Sequence, residues 1–176
     1  MLNRHELREW TKTILWSLVL FFGLRVAVVE AYHVPTGSME PTIVPGDRVL
    51  GTKFHYWLFE PARGDVAVFK TPERVKAMSE HPSKRLVKRI VAVAGDTVEV
   101  RDGSLFVNGA RVEEPYLKDR PAYRMPAVVV PEGNVFVLGD NRNNSLDGHV
   151  WGFVEKDQLL ARAWVKYWPP WHAGTL

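Results

Sequence analysis

An almost unbroken apolar run between Ile14 and Leu24 constrains this chain more than any other feature of its sequence. The run resumes over residues 27–29, and three basic residues precede it: Arg4, Arg8 and Lys12. Such a run predicts one membrane-spanning helix, and basic residues ahead of it favour a cytoplasmic N-terminus. We therefore expect three segments: a cytoplasmic N-terminus over residues 1–12, a transmembrane helix over residues 13–32 and an extracytoplasmic domain over residues 33–176.

Two other interpretations of the apolar run stay open from the sequence. A buried amphipathic helix could have a similar composition. A secretory signal could also begin this way, and Val29-Glu30-Ala31 would then be a small-residue cleavage site that releases the rest of the chain. The intact mass of the membrane-extracted protein would distinguish a retained helix from a cleaved signal.

Beyond Tyr32 the pattern changes to short β-branched and aromatic runs separated by turn residues, which predicts a β-rich domain. The predicted strands cover residues 48–53, 65–70, 86–93, 97–101, 105–107, 128–130, 135–138 and 161–168. Asp102-Gly103 and Asn108-Gly109 accept positive φ, so two tight hairpins are expected in succession. The polar residues 71–83 are expected to form the least ordered loop.

The composition excludes several kinds of chemistry. The chain has no cysteine, so a disulfide framework, a thiolate metal site and a cysteine nucleophile are all excluded. Its 176 residues allow one catalytic domain beside a membrane segment. The net charge of +3 is spread along the sequence without a basic stripe, so nucleic-acid binding is not expected.

The segment HVPTGSMEPTIVPGDRVL places Ser38 in a turn soon after the apolar run. Pro35, Gly37 and Pro41 interrupt any regular strand there, so a loop would present the serine hydroxyl. A serine becomes a nucleophile only when a neighbouring base removes its proton, and an ordinary turn serine is the alternative. The candidate bases are Lys84 or Lys88 in a Ser/Lys pair, and His149 with Asp140 or Asp147 in a triad.

Lys88 has the most informative context among these bases. It interrupts the apolar strand in RLVKRIVAVAGD, where side chains alternate between two faces, so either Lys88 or Arg89 must point toward a core. Burial disfavours an ammonium and lowers its pKa, which makes a neutral amine available to accept the serine proton. A lysine at a solvated strand edge is the alternative.

A third segment, GDNRNNSLDGHVWGFV, crowds Gly, Asn, Asp and Ser into one turn after a predicted strand. Most of these side chains are expected to satisfy local backbone groups. The hydroxyl of Ser145 is the exception, because it would orient the Lys88 amine by a hydrogen bond.

These three segments, with RGDVAVFKTP over residues 63–72, resemble the conserved boxes of bacterial type I signal peptidases and follow the same order. The apolar run resembles the membrane anchor of that family, so the likeness covers nearly the whole chain, and residues 71–83 and 114–126 match least. The resemblance implies an all-β domain of twisted antiparallel sheets, of the fold shared with self-cleaving repressors, behind one N-terminal transmembrane helix. It also implies the compact form of the family, without a large second domain.

The resemblance also implies a role for each matching residue. Ser38 is the nucleophile and Lys88 the general base, while the Ser38 backbone N–H and the Thr36 hydroxyl form the oxyanion hole. Ser145 orients Lys88, and Asp147 braces the loop. A mechanism of this type requires no metal and no organic cofactor.

One departure from the family concerns the residues after Asp147. The family usually has Ser-Arg at this point, whereas this chain has Gly148-His149. We expect His149 to replace the missing arginine when it is protonated at mildly acidic pH, which would make the rigidity of the loop pH-dependent.

The function implied by the resemblance is the cleavage of signal peptides from exported preproteins, after small residues, at the outer face of the cytoplasmic membrane. The substrate would enter as an extended strand and form an acyl-enzyme with Ser38. The expected partners are signal peptides and membrane lipid, with the secretion translocon as a further candidate. Aromatic residues within 54–59 and 164–171 are candidates for a surface against lipid headgroups, and core packing is the alternative.

Three other functions stay open from the sequence. Self-cleaving repressors use a similar Ser/Lys pair, but they would carry DNA-binding helices upstream, where this chain has its apolar run. A non-enzymatic, membrane-anchored β domain that binds protein partners would show no turnover. A triad built on His149 predicts that Lys88→Ala stays active while His149→Ala does not.

Overall fold

The chain forms an antiparallel β domain behind a long N-terminal helix in the computed structural model, which describes residues 4–78, 80 and 83–176. The helices are α1 (Arg4–Val28), α2 (His55–Leu58), α3 (Glu73–Lys76) and α4 (Gly148–Trp151). Short 3₁₀ turns cover Gly37–Met39, Arg142–Asn144, Lys156–Gln158 and Pro170–His172.

The strands form two sheets. They are β1 (Val29–His33), β2 (Arg48–Thr52), β3 (Val66–Lys70), β4 (Arg85–Val93), β5 (Thr97–Arg101), β6 (Ser104–Val107), β7 (Ala110–Arg111), β8 (Met125–Val129), β9 (Asn134–Leu138), β10 (Val154–Glu155), β11 (Leu159–Trp168) and β12 (Gly174–Thr175). The larger sheet has the order β1-β2-β11-β3-β4-β9-β10, with β12 paired to β11, and the smaller has the order β7-β6-β5-β8. All of these pairings are antiparallel, so the predicted antiparallel β domain is confirmed.

The predicted hairpins of the smaller sheet are also confirmed. Asp102 and Gly103 have φ of 51° and 67°, and Asn108 and Gly109 have φ of 54° and 78°. Two successive residues with positive φ give the mirror-image turn whose twist matches that of the flanking strands. The turns set the registers of β5 with β6 and of β6 with β7, in which Arg101 faces Ser104 and Val107 faces Ala110.

The sequence and the structure differ most at the end of the predicted membrane helix. α1 ends at Val28, and residues 29–32, the last four of the predicted transmembrane helix, lie in β1. β1 pairs with β2 along its whole length, from Val29 opposite Thr52 to His33 opposite Arg48. Within the part of the chain that the structure describes, no helix combines the length and the apolar composition of a membrane span.

The segment expected to be the least ordered loop is partly helical. α3 begins directly after Pro72, a position that suits proline because the first N–H groups of a helix lack intrahelical partners. Thr71 and Val75 are buried, so the segment packs against the domain. The expectation of a loop is therefore wrong over α3, while residues 79, 81 and 82 lie outside the described residues.

β4 positions two cations in the middle of the larger sheet, between β3 and β9. Lys88 and Arg89 are only 3% and 6% exposed, although strand alternation required just one of them to face a core. Arg89 meets the carboxylate of Asp140, whereas Lys88 meets the hydroxyl of Ser38. A buried cation must be paired or must lose its charge, so these two neighbours have different chemistry.

Candidate active site

Ser38 lies in the 3₁₀ turn Gly37–Met39, between β1 and β2. The side chain of Met39 is fully buried in the core and anchors the turn there. From the loop after β9, Asn141 donates its backbone N–H to the Ser38 carbonyl O at 3.1 Å and its side-chain amide to the Gly37 carbonyl O at 3.0 Å. The turn that carries the serine is therefore fixed both by the core in which Met39 is buried and by the loop after β9.

Lys88 reaches Ser38 from β4. Its Nζ donates a hydrogen bond to Ser38 Oγ at 2.5 Å, across 50 residues of sequence. Burial lowers the pKa of Lys88 to about 8, although the charges of the Asp147 and Asp140 carboxylates raise it in part. Near neutral pH a much larger fraction of this amine is therefore uncharged than of a lysine in water, and it lies within reach of the serine proton.

Thr36, the residue before this turn, lies beside the serine hydroxyl. Its Oγ1 is 3.4 Å from Ser38 Oγ. Thr36 precedes the 3₁₀ turn, but its side chain makes no capping hydrogen bond to any described residue, so the hydroxyl stays available to a ligand. This is the position that the sequence interpretation gave to an oxyanion donor.

A cavity of about 360 Å³ opens beside these residues. Its lining includes Thr36, Ser38 and Lys88 together with the apolar side chains of Val75, Leu86 and Leu146. The cavity thus combines a polar, reactive part with apolar walls, as ligand sites commonly do.

Asp147 braces the loop that faces Ser38. The residue is fully buried, and its Oδ2 accepts the Gly139 backbone N–H at 2.8 Å. Its Oδ1 contacts His149 Nδ1 at 2.7 Å and accepts the His149 backbone N–H at 3.2 Å, which caps α4. The His149 ring also stacks on Tyr123 with 4.1 Å between the ring centroids. His149 therefore occupies the place beside Asp147 that was expected of a substitute for arginine.

The electrostatics of Asp147 follow from these contacts. Desolvation raises the pKa of the carboxyl. Hydrogen bonds from His149 and from the Gly139 N–H, together with the nearby Lys88 charge, lower it by a larger amount, so the pKa falls below its usual range. A carboxyl with a depressed pKa stabilises the fold above its unfolded pKa, and that contribution is lost as the pH falls through the folded value.

We expect His149→Ala to lower the free energy of unfolding near neutral pH by about 1.5–3 kcal/mol, the usual range for a hydrogen bond to a charged group. Because the loop against the Ser38 turn loosens, kcat should fall more than KM changes. The shape of the pH profile of activity between about pH 5 and 8 should also change, since the variant lacks the imidazole that contacts the Asp147 carboxylate at 2.7 Å. Denaturant unfolding and steady-state kinetics at each pH measure both effects.

His172→Ala is the matched control for this substitution. His172 Nδ1 contacts the buried Asp47 carboxylate at 2.9 Å, the same kind of pair on a different part of the domain. This variant should lose stability without a change in the pH profile of activity. A His149→Ala enzyme with the wild-type profile between about pH 5 and 8 would exclude the proposed role of His149.

Ser145 does not make the hydrogen bond expected of it. Its Oγ is buried, and it has no hydrogen-bond partner among the described residues, although it lies near enough to Asp147 to help lower the pKa of that carboxyl. A Cβ atom at Gly139 would overlap both Ser145 Oγ and the Ser38 carbonyl O. Only glycine therefore allows this strand end to approach both loops so closely, and the orienting role of Ser145 toward Lys88 stays a prediction.

The other candidate bases have different partners. The described hydrogen-bond partners of Ser38 Oγ are Lys88 and Thr36. Asp140 forms two hydrogen bonds with the Arg89 guanidinium, at 2.9 and 2.7 Å, and the side chain of Lys84 is exposed. The geometry thus favours a Ser/Lys pair over a triad built on His149.

Arg142 and Glu114 support the site, although the sequence interpretation did not identify them. Arg142 is 1% exposed, and its guanidinium binds the Glu114 carboxylate at 2.9 and 2.5 Å. Its Nε donates to the Gly139 carbonyl O at 3.0 Å, so the pair holds the loop that contacts the Ser38 turn. Glu114 lies in a stretch that resembles the family least, and nothing in the local sequence distinguishes Arg142 from an exposed turn residue.

Comparison with known proteins finds similar sequences along nearly the whole chain. The family model described as "Signal peptidase, peptidase S26" matches residues 7–168. The "Probable signal peptidase I-2" of Synechocystis is 42% identical over 168 residues, which are 96% of this chain and 76% of that protein. The "Thylakoidal processing peptidase 1, chloroplastic" of Arabidopsis thaliana is 42% identical over 165 residues, 92% of this chain and 48% of that protein. The crystal structure of a signal peptidase I from Enterococcus faecalis is similar with a TM-score of 0.50 and 30% identity, over 59% of this chain and 97% of that one.

Proposed function

The chain belongs to the peptidase S26 family and is a serine endopeptidase of the signal peptidase I type, and from that premise we propose that Ser38 and Lys88 carry the reaction as nucleophile and general base. The substrates would be exported preproteins, cut after a small residue at the end of their signal peptides. The observation that carries this proposal is the 2.5 Å contact between Lys88 Nζ and Ser38 Oγ, made by a lysine that is 3% exposed.

In the proposed acylation, the neutral amine of Lys88 takes the hydroxyl proton of Ser38 while Oγ bonds to the carbonyl carbon of the scissile peptide. The carbonyl oxygen becomes an oxyanion, which the Ser38 backbone N–H and the Thr36 hydroxyl stabilise. When the tetrahedral intermediate collapses, the C–N bond breaks and the Lys88 ammonium gives its proton to the leaving amine. The mature protein departs, and the signal peptide stays as an ester on Ser38.

Hydrolysis of that ester would use the same groups in the reverse order. Lys88, neutral again, takes a proton from a water molecule while the water oxygen adds to the ester carbonyl carbon. Collapse of the second intermediate breaks the bond to Ser38 Oγ, and Lys88 returns the proton to that oxygen. The signal peptide leaves as a carboxylic acid, which releases its proton to the solvent, and the enzyme is ready for another substrate.

We also propose that the N-terminal segment attaches the domain to the cytoplasmic membrane, with residues 1–12 inside and the catalytic domain outside. Leu15, Trp16 and other apolar side chains of α1 are exposed. In the catalytic domain Trp57 and Trp171 are 81% and 79% exposed, and such rings suit the headgroup layer. The proposed partners are therefore signal peptides and membrane lipid, with the secretion translocon as the source of the preproteins.

Reconstitution of the full chain in phosphatidylglycerol/phosphatidylcholine vesicles tests this function. With a preprotein that has alanine at positions −1 and −3 before the cut, we expect one cleavage, directly after the −1 alanine. The intact mass of the released protein identifies the cut, and the enzyme should float with the vesicles after an alkaline carbonate wash. A preprotein with phenylalanine at −1 is the control and should stay uncut, because a small apolar pocket rejects a bulky side chain.

Each part of the proposal can fail separately. A preprotein left intact by the wild-type enzyme would contradict the proposed activity and favour a non-enzymatic binding domain. Enzyme recovered in the carbonate supernatant would contradict membrane attachment but not catalysis. Equal cleavage after alanine and phenylalanine would contradict the proposed preference for small residues.

A further inference from the structure

The cavity beside Ser38 and Lys88 has a wall that the catalytic turns do not supply. Thr71 and Val75, from the segment between β3 and β4, line it together with Leu86. Thr71 and Val75 are 4% and 6% exposed, so they belong to the packed body of the domain. A buried side chain that also faces a cavity limits what can enter there.

The α3 segment, residues 71–78, is fastened at several points. Thr71 donates its hydroxyl to the Ser83 carbonyl O at 2.5 Å and its backbone N–H to the Lys84 carbonyl O at 3.1 Å. The guanidinium of Arg74 donates to the Phe153 carbonyl O and lies 5.8 Å from the ring centroid of Trp151. Val75 is therefore held on a short helix that is bonded to residues 83–84 on one side and to Phe153 on the other.

The place of Val75 along β4 indicates which substrate residue it would meet. Val75 belongs to the core cluster against which Leu86 packs, and Leu86 precedes Lys88 by two residues on the same face of β4. Residues two apart on a strand are about 7 Å apart. β9 pairs with β4 only from Arg89 onward, so among the described residues the edge of β4 opposite β3 is open over residues 85–88. A substrate strand at that edge has the same spacing, and its −3 side chain would reach Leu86 and Val75 when its −1 residue lies at Ser38.

We propose that Val75 is a specificity-determining residue that sets the largest side chain accepted at position −3. This inference rests on the proposed function and deepens it, because it assigns a size limit to a residue of the segment that resembles the family least. The side chain of Val75 lines the cavity, and the hydrogen bonds of Thr71 and Arg74 restrain the backbone of its helix. Shortening the side chain should open the cavity, and lengthening it should close the cavity further.

Peptide substrates that differ only at −3, with alanine, valine or leucine, test the proposal. For Val75→Ala we expect the ratio of kcat/KM for leucine to that for alanine to rise by about tenfold or more, the range for methylene-sized changes in an apolar pocket. For Val75→Ile we expect the ratio for valine to alanine to fall by about tenfold. Opposite shifts from two substitutions at one site distinguish a change of shape from a general loss of stability.

The controls separate this inference from the proposed function. Glu73→Ala changes an exposed side chain of the same helix and should leave every ratio unchanged. The wild-type enzyme must first cleave the alanine peptide, and failure there would contradict the proposed function. If it does so, −3 ratios within twofold of wild type in both Val75 variants, or a shift at −1 instead of −3, would overturn the assignment of Val75.

Discussion

Replacing Ser38 or Lys88 by alanine is expected to lower kcat/KM for preprotein cleavage by about 10³-fold or more. Ser38→Ala removes the atom that attacks the carbonyl carbon, so no acyl-enzyme forms. Lys88→Ala leaves the hydroxyl in place but removes the amine 2.5 Å from it, and the other polar neighbour of that hydroxyl among the described residues is Thr36, which is not a base at neutral pH. Initial rates with a defined preprotein measure both losses.

The double variant provides a sharper test of the pair. Two residues that act as one unit give losses that do not add, so Ser38→Ala/Lys88→Ala should be about as inactive as either single variant. Lys84→Ala is the matched control, because Lys84 precedes β4 and its side chain is exposed. Lys88→Ala with activity near that of the wild type, together with an inactive His149→Ala, would contradict the pair and favour the triad.

Local chemistry made part of the fold predictable. Asp102-Gly103 and Asn108-Gly109 determine their own turns, because positive φ is tolerated by few residue types. The strands around them were visible from β-branched residues at alternating positions. The segment around Ser38 and the strand around Lys88 could also be found, since each breaks the pattern of its surroundings.

Elements that depend on a distant partner could not be predicted with the same success. Residues 29–32 suit a helix as well as a strand by composition, and only the ladder with β2 makes them β1. A four-residue helix such as α3 has little stability of its own, so the burial of Val75 decides its conformation.

The same reason explains why the pairing of two buried arginines was not predicted. Arg89 is buried because Asp140 lies opposite it, 51 residues away in sequence, and Arg142 because Glu114 lies 28 residues away. Neither partner is visible from the local pattern. Ser145 shows the reverse case: its place in a recognisable segment led to an expected bond to Lys88, whereas its Oγ has no hydrogen-bond partner among the described residues.

The pH dependence of activity follows from the environment of Lys88. Burial lowers the pKa of its ammonium to about 8, although Asp147 and Asp140 raise it. Below that pH the reactive amine becomes scarcer by about tenfold per pH unit, so kcat/KM near pH 6 should be about a hundredfold below its plateau. Above about pH 8 the amine is mostly neutral, and the rate should no longer rise.

The stability of the fold should change with pH for the same reason. Because the pKa of Lys88 is lower in the folded than in the unfolded chain, the unfolded chain binds more protons between the two values. The destabilisation is fully present below about pH 8 and disappears as the pH passes the usual lysine value of 10.5. Lys88→Met should lack this rise in stability, which assigns the effect to Lys88.

The most direct test of the central claim, that a buried and uncharged Lys88 activates Ser38, is the pH dependence of kcat/KM, which reports the ionisation of the free enzyme. We expect a rise of about tenfold per pH unit from pH 6, levelling off near pH 8. A rate that is flat from about pH 6 to 9, or one that keeps rising beyond about pH 10 as for a solvated lysine, would contradict it.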